Sequence, residues 1–236
     1  MKKQEKILEP TVKVGVLVPS AGMWEMEFGR ALVSLFAHTL HWRPDPALGC
    51  ERMSVNLYCL SGSMLVTNRQ KLIAQALKDN CTHILFIDDD MVFPKDALIR
   101  LLSSGKPAIG GNYTTRSFPV NWVGQGFDGK PISSKKKHGL QKVQYLGCGM
   151  LMVRRSVLEK LSVPLFMMEW IPDIPGFCGE DVYFCAKIQK EAEEDIWVDH
   201  DLSKQLRHVG KLQYHSNLID HELPAPESRS VKVNST

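Results

Sequence analysis

Residues 83–94, HILFIDDDMVFP, constrain the fold more than any other stretch of the chain. Positions 84–87 are apolar without exception, the pattern of a strand covered on both faces, as in a parallel sheet with helices above and below. Three aspartates follow at once, Asp88, Asp89 and Asp90, and then Pro94, which suits the first turn of a helix. Adjacent carboxylates repel one another and gain nothing from a core. In open α/β sheets, however, ligands bind beyond the carboxyl ends of the strands, and that is where these three fall. On an extended backbone Asp88 and Asp90 point to one side and Asp89 to the other. Two carboxylates on one side suit a hard divalent cation, Mn²⁺ or Mg²⁺, which removes their repulsion. Capping of the next helix accounts for one aspartate, Asp89 for instance, but not for three.

The rest of the chain alternates between strand and helix. Residues 12–18 and 55–60 read as strands, and 23–41 as a helix with Phe28, Leu32, Leu35 and Phe36 at helical spacing. Helices are expected at 66–77, 95–102 and 180–192, and further strands at 108–113, 144–153 and 196–198. This order predicts an α/β fold: a single mostly parallel twisted sheet with added antiparallel strands and helices on both faces. A chain of 236 residues holds one such domain, expected over 12–220, with an extension at 1–11 and a disordered tail at 221–236. Residues 117–142 are polar and glycine-rich, with Lys135, Lys136, Lys137 and His138 inside them. They read as a long loop of the kind that serves as a lid or binding loop.

Composition narrows the function classes. No apolar run approaches the ~18 residues that span a membrane. The basic N-terminus leads into no hydrophobic segment, so no signal peptide is expected and the chain is placed in the cytoplasm. Six cysteines without a CxxC pair read as reduced, buried thiols. A formal charge of +3 is too small to demand a polyanionic partner.

The aspartates have companions. Gly179-Glu180-Asp181 opens a helix on which Asp181 shares a face with Phe184, Cys185 and Ile188, while Glu180 lies over Tyr183 and Lys187. Asp181 therefore points toward the protein, where burial gives a carboxylate the raised pKa of a general base. The plainer reading is a carboxylate complementing the helix dipole. Further on, either His200 of Asp199-His200-Asp201 or His208 of His208-Val209-Gly210 can complete a carboxylate site for Mn²⁺ or Mg²⁺ as a neutral imidazole.

Val18-Pro19-Ser20 after the first strand, Thr67-Asn68-Arg69 opening a helix, IDDDM, LGCGMLMVRR, GED and HVG occur in an order that resembles GT-A-fold glycosyltransferases. The likeness is to the compact, stand-alone, family-2-like transferases of bacteriophages, and it covers roughly residues 12–210. It implies a nucleotide-diphosphate sugar, a UDP-sugar foremost, held through a D-x-D motif and a divalent metal. On that resemblance Asp88, Asp90 and His208 ligate the metal, Asp88 also approaching the ribose or phosphate with Asp89 beside it. Asp181 becomes the catalytic base with Glu180 in the same motif, a placement that leans toward inversion. Pro19 and Ser20 line the nucleoside pocket with Arg69 nearby, and Gly147, Cys148 and Gly149 lie under the sugar and acceptor. The third aspartate leaves the D-x-D register open, and His200 competes with His208. The acceptor implied for a phage-like enzyme is a hydroxymethylated DNA base, with a protein or glycan as the alternative. Lys135, Lys136 and Lys137, with Arg116, Lys130 and Lys142, form a patch of the sign that phosphates need. A metal-dependent nucleotidyltransferase is the competing class, since it uses strand-end aspartates equally well.

Overall fold

The computed structural model of the chain describes residues 12–43, 52–171, 176–210 and 215–216. The extension at 1–11 and the tail at 221–236 lie outside these residues.

The first half is a run of parallel crossovers. Strand β1 (Val12–Ser20) leads to helix α1 (Met26–His41), then β2 (Met53–Ser61), α2 (Leu65–Lys78) and β3 (His83–Ile87). A two-residue strand β4 (Met91–Val92), helix α3 (Ala97–Ser103) and strand β5 (Ala108–Gly110) follow. The second half holds β6 (Leu140–Val143), β7 (Met150–Arg154), α4 (Arg155–Leu158) and a hairpin of β8 (Glu169–Ile171) and β9 (Gly176–Cys178). It closes with α5 (Glu180–Glu191), β10 (Ile196–Asp199), α6 (His200–Ser203) and β11 (Arg207–His208).

Seven strands make one sheet in the order β2-β1-β3-β7-β5-β10-β6. The β1/β2, β1/β3 and β5/β10 pairs are parallel, β7 runs against both β3 and β5, and β6 runs against β10. Five strands thus point one way and two the other, the mixed but mostly parallel α/β sheet expected. A separate two-stranded ladder joins β4 to β11.

The pleat of β3 explains its unbroken apolar run. Ile84 and Phe86 face a core with Leu72, Ile73 and Ala76 of α2 and with Phe184, Cys185 and Ile188 of α5. Leu85 and Ile87 face the opposite core, with Phe28, Leu32 and Leu35 of α1 and Leu98 of α3. The Phe86 ring meets Phe166 and Phe184 edge-on, each at 5.8 Å, and those two stack on one another at 4.4 Å. Such pairs contribute about 0.5–1.5 kcal/mol each beyond area burial. They seat the start of α5 against the end of β3, which brings the two acidic motifs to one place.

Three expectations are corrected. The strand expected at 144–153 begins only at Met150, because Gly147 and Gly149 turn around Tyr113. The 117–142 segment carries the edge strand β6 at its end and is packed down rather than hanging free: Val120, Trp122, Ile132 and Ser134 are buried. The Asn112 side chain pins it, donating to the Ile132 carbonyl at 2.7 Å and accepting from the Gly124 amide at 2.8 Å. Cys81, Cys148 and Cys185 are buried thiols, but Cys59 is exposed, because β2 is the outermost strand, and Cys178 is half-buried. Cys50 lies outside the described residues. None of the described helices is long and apolar enough to cross a membrane.

Candidate active site

The carboxyl ends of β1, β2, β3 and β5 lie along one edge of the sheet, and the acidic triplet leaves from its middle. Beyond Ile87 the backbone turns instead of staying extended: the Met91 amide donates to the Asp88 carbonyl at 3.1 Å. The three carboxylates therefore fan out to three separate sets of neighbours, which replaces the two-sided arrangement expected for a straight strand. Asp88 goes to Arg69, Asp90 to His208 and Arg116, and Asp89 to the Ser20 side chain and the Ala21 backbone. Asp89 does not cap the following helix, whose N-cap residue is Asp96. Burial raises the Asp89 pKa, and one of its oxygens, Oδ2, is buried without a hydrogen-bond partner.

Asp90 and His208 are brought together by the β4–β11 ladder, in which His208 pairs with Met91 and the Val209 amide donates to the Asp90 carbonyl at 2.7 Å. His208 Nδ1 is 2.9 Å from the Thr114 carbonyl and Nε2 is 3.2 Å from Asp90 Oδ1. A carbonyl only accepts, so Nδ1 carries the proton, and a neutral imidazole then presents its Nε2 lone pair to the carboxylate. Two acceptors face one another, and Asp90 Oδ1 is buried with no hydrogen-bond partner. A second proton on the imidazole, or a cation held by both groups, resolves that conflict. Burial pushes the Asp90 pKa up; with the second proton on His208, the hydrogen bond and charge it then supplies, with the Arg116 guanidinium 2.5 Å from Oδ2, outweigh burial and hold the group below the usual carboxylate range. The Tyr113 ring stands edge-on to His208 at 5.3 Å and fixes its orientation.

The two candidate histidines are thereby told apart. His200 is buried with both ring nitrogens engaged, Nδ1 at 2.9 Å from Ser134 Oγ and Nε2 at 3.1 Å from Gln141 Oε1. It fastens the 117–142 segment to α6 and does not reach the aspartates.

The three-ligand set expected of Asp88, Asp90 and His208 is not assembled. No group of three His, Cys, Asp or Glu side chains among the described residues is placed to hold a metal, and Asp88 Oδ1 is occupied by Arg69. Asp90 and His208 nevertheless fit such a role. Mg²⁺-type ions keep several waters and substrate phosphates around one or two carboxylates instead of entering an all-protein cage. The partnerless buried oxygen of Asp90 beside an imidazole lone pair is the donor geometry such an ion needs.

Arg69, expected near the nucleoside pocket, is enclosed, at 2% relative exposure. Its Nη2 is 2.8 Å from Asp88 Oδ1 and its Nη1 2.5 Å from Glu180 Oε1, and its guanidinium lies over the Phe166 ring at 5.8 Å. It ties the end of β3 to the start of α5. Glu180 is accordingly turned inward to Arg69. Removing one member of a buried ion network leaves the other charges uncompensated, at a cost of about 3–5 kcal/mol. Arg69→Met is expected to lower unfolding free energy by about that amount in urea titrations. A loss under about 1 kcal/mol would show that Asp88 and Glu180 find water or each other's protons instead.

Asp181 has no such cation of its own. Burial first, then the neighbouring Glu180 charge, raise its pKa, opposed in part by the Val182 amide at 2.8 Å and by Arg69. Gly179 leaves room for it, since a Cβ there would stand 2.7 Å from Asp181 Oδ1. Tyr113 plays the same part at the next turn. Its hydroxyl accepts from the Gly149 amide at 3.0 Å, and a Cβ on Gly147 would lie 2.2 Å from it. Gly147, Cys148 and Gly149 therefore form a packed floor, with Cys148 at 1% exposure. Pro19 and Ser20 end β1 at this same edge, both buried, with Ser20 Oγ accepting from the Gly22 amide at 3.0 Å. Tyr113 and Thr114 stand at this site although no motif marks them, and Arg116 turns to Asp90 rather than joining the basic surface patch. Their signal was positional: they follow β5 at the carboxyl edge.

No protein-family model and no curated protein matches the sequence. Among solved structures, the fold is similar to the crystal structure of A197 from STIV, with a TM-score of 0.56 and 15% sequence identity over 92% of this chain and 100% of that one. The crystal structure of GalNAc-T7 with UDP, GalNAc and Mn²⁺ overlaps more loosely, with a TM-score of 0.48 and 12% identity over 86% of this chain, which spans 44% of that one. The likeness to A197 from STIV, at 15% identity, speaks to fold alone.

Proposed function

We propose that this chain is a metal-dependent glycosyltransferase that moves a sugar from a nucleotide-diphosphate donor, a UDP-sugar foremost, to an acceptor hydroxyl. One observation carries the reading: the buried, partnerless Oδ1 of Asp90 lies 3.2 Å from His208 Nε2 beyond β3, while Asp181, at the start of α5 and without a cation of its own, has its pKa raised by burial. Carboxylates in such different environments can divide metal binding and acid–base work between them. Asp90, kept anionic, with His208 holds Mn²⁺ or Mg²⁺. Such an ion supplies Lewis-acid stabilisation of the charge that develops on a departing nucleotide diphosphate. Asp181, inclined to take a proton, removes one from the acceptor hydroxyl as it attacks the anomeric carbon. A base acting directly on the acceptor favours inversion. Asp88 and Glu180 act at one remove, holding the two halves of the site through Arg69, while Ser20 and Asp89 border the donor side.

The test is a panel of nucleotide sugars with Mn²⁺, scored for released nucleotide diphosphate, first without and then with acceptors. Turnover of one or more donors is expected. Release of pyrophosphate from nucleoside triphosphates, with no nucleotide sugar consumed, would make the chain a nucleotidyltransferase instead.

For the acceptor we propose a hydroxymethylated base in DNA. The supporting patch is smaller than the sequence suggested: Arg116 is engaged by Asp90, and Lys142 pairs with Asp195 at 2.5 Å. Lys136 and Lys137 remain exposed beside the half-buried Lys135. Each neutralised phosphate releases condensed counterions, with a slope near −0.9 in log affinity against log salt. Replacing Lys135, Lys136 and Lys137 by alanine is expected to flatten that slope by about two to three and to slow transfer to DNA. Hydrolysis of the donor without acceptor should stay at the parent rate. Undiminished transfer by the triple variant would turn the search to protein or glycan acceptors.

A further inference from the structure

The outermost strand of the sheet lacks the protection that sheet edges carry. β2 is terminal in the strand order, so among the described residues one of its sides pairs with no strand. An open edge presents a row of backbone N–H and C=O groups that templates pairing with another chain. Proteins blunt such edges with short strands, charged side chains, proline or bulges. β2 has nine residues, MSVNLYCLS, with no charge and no proline, and it matches β1 residue for residue without a bulge.

The helix beside that edge is apolar on two faces. α1 buries Phe28, Ala31, Leu32 and Leu35 against the sheet. Val33, Phe36, Ala37 and Leu40 add a second apolar stripe, at the i, i+3, i+4, i+7 spacing of one helix face. Val33 is 70% exposed and Leu40 83%. Leu57 of β2 is the register partner of Val16, whose side chain lies in the core under α1, so Leu57 points to the α1 side as well. With Trp24 it closes a groove against the stripe, and no charged side chain lines that groove.

We propose that this edge and stripe form a two-fold interface with a second copy of the chain, β2 pairing antiparallel with β2 and α1 packing across α1. Symmetry favours a second copy over another partner. Leu57 is the middle residue of β2 and lies in the groove beside the stripe, so a single axis normal to the sheet passes through the centre of both elements. That axis brings Leu40 of one copy to Gly29 of the other, beside which there is open space. It also brings Glu25, at the N-cap of one α1, toward Arg43, just past the C-cap of the other. The strip is about 25 Å long and about 20 Å deep across the helix and strand layers, so pairing removes on the order of 1,000 Å² from water, the size at which specific interfaces begin. Strands of the two copies run in opposite directions, so their aspartate edges face opposite ends of the joined sheet and both sites stay open.

The test is sedimentation of the full chain from about 1 to 100 µM, a range that brackets ordinary dimer affinities. No donor, metal or turnover enters it, so its result and that of the transferase assay are read separately. The parent should sediment as a dimer and melt at a higher temperature as its concentration rises. Val33→Lys with Leu40→Lys should weaken self-association by about 100-fold or more, since each substitution enters a two-fold interface twice and sets like charges together. Both side chains are exposed in the single chain, so the double variant should keep the parent's circular dichroism spectrum. Leu57→Cys in a Cys59→Ser chain should form an intermolecular disulfide on mild oxidation, because the axis sets the two residues about 5 Å apart at Cβ. Cys59→Ser alone should not. A parent still monomeric at about 100 µM would overturn the proposal and leave the face to another part of this chain or to a different protein. Parent-like dimerisation of the double variant, or no cross-link through Leu57→Cys, would overturn it as well. So would growth into ever longer assemblies with concentration, since a head-to-tail contact does not close.

Discussion

Asp181→Asn is expected to slow glycosyl transfer by about 10²- to 10⁴-fold, the usual contribution of a positioned general base, while nucleotide-sugar affinity stays near that of the parent. The amide keeps the size of the carboxyl and its oxygen can still accept from the Val182 amide, as Asp181 Oδ1 does at 2.8 Å. Only the capacity to take a proton is lost. The pKa direction adds a second readout. Burial raises the Asp181 pKa, so the group binds its proton more tightly folded than unfolded. Its contribution to stability therefore falls as pH rises from the ordinary aspartate value through the raised one, and at neutral pH the buried charge is a net cost. Asparagine removes that cost, so the variant should melt no lower than the parent. The same raised pKa places the acid limb of the parent's kcat profile above the range of an exposed aspartate, with rate lost as pH drops through it. Measured together, donor affinity, kcat against pH and Tm separate catalysis from folding. Equal loss of donor affinity and turnover would move Asp181 to the donor site, and a lowered Tm would make it structural.

What could be read from the sequence was what burial imprints locally. The four apolar positions before Asp88 announced a strand covered on both faces, because each side of β3 meets a helix layer and neither tolerates a polar residue. The inward turn of Asp181 was likewise legible, since Phe184, Cys185 and Ile188 mark the apolar stripe of α5. Long-range pairings left no such trace. Arg69 and Glu180 are 111 residues apart, and nothing in either neighbourhood announces that one neutralises the other. Acidic sequence neighbours point the other way, since Asp199 and Asp201 flank His200 and no acidic residue flanks His208. The two differ in long-range partners: the Thr114 carbonyl, 94 residues from His208, against Ser134 and Gln141 around His200. Edge strand β6, with Leu140 exposed and two of its four residues polar, reads as loop because only one side of it is paired. The glycines at 147 and 149 suggested a ligand turn; they are small because the Tyr113 hydroxyl occupies the space a Cβ would need.

Asp90→Asn is expected to abolish metal-dependent donor binding, lowering metal affinity by more than the 10- to 100-fold typical of residues that only orient a ligand. The reason lies in what Asp90 faces. Its Oδ1 is buried, partnerless and 3.2 Å from the imidazole nitrogen that the Thr114 carbonyl leaves without a proton. An amide at this position can turn its NH₂ toward that lone pair and satisfy it, closing the gap a cation requires. It also leaves Arg116, now 2.5 Å from a carboxylate oxygen, with a neutral partner. The fold should survive, because the ladder is held by backbone hydrogen bonds, including Val209 to the Asp90 carbonyl. His208→Ala should weaken metal binding without creating the competing amide contact, so its loss should be smaller than that of Asp90→Asn. Titration of Mn²⁺ followed by electron paramagnetic resonance reads metal affinity directly in parent and both variants, and donor binding is then measured at saturating and at zero metal. Parent-like Mn²⁺ binding in Asp90→Asn, or full transfer by the parent in EDTA with no bound metal, would remove the ion from this site. Asp90 would then remain as the counter-ion of a protonated His208 and of Arg116, a structural knot at the end of β3.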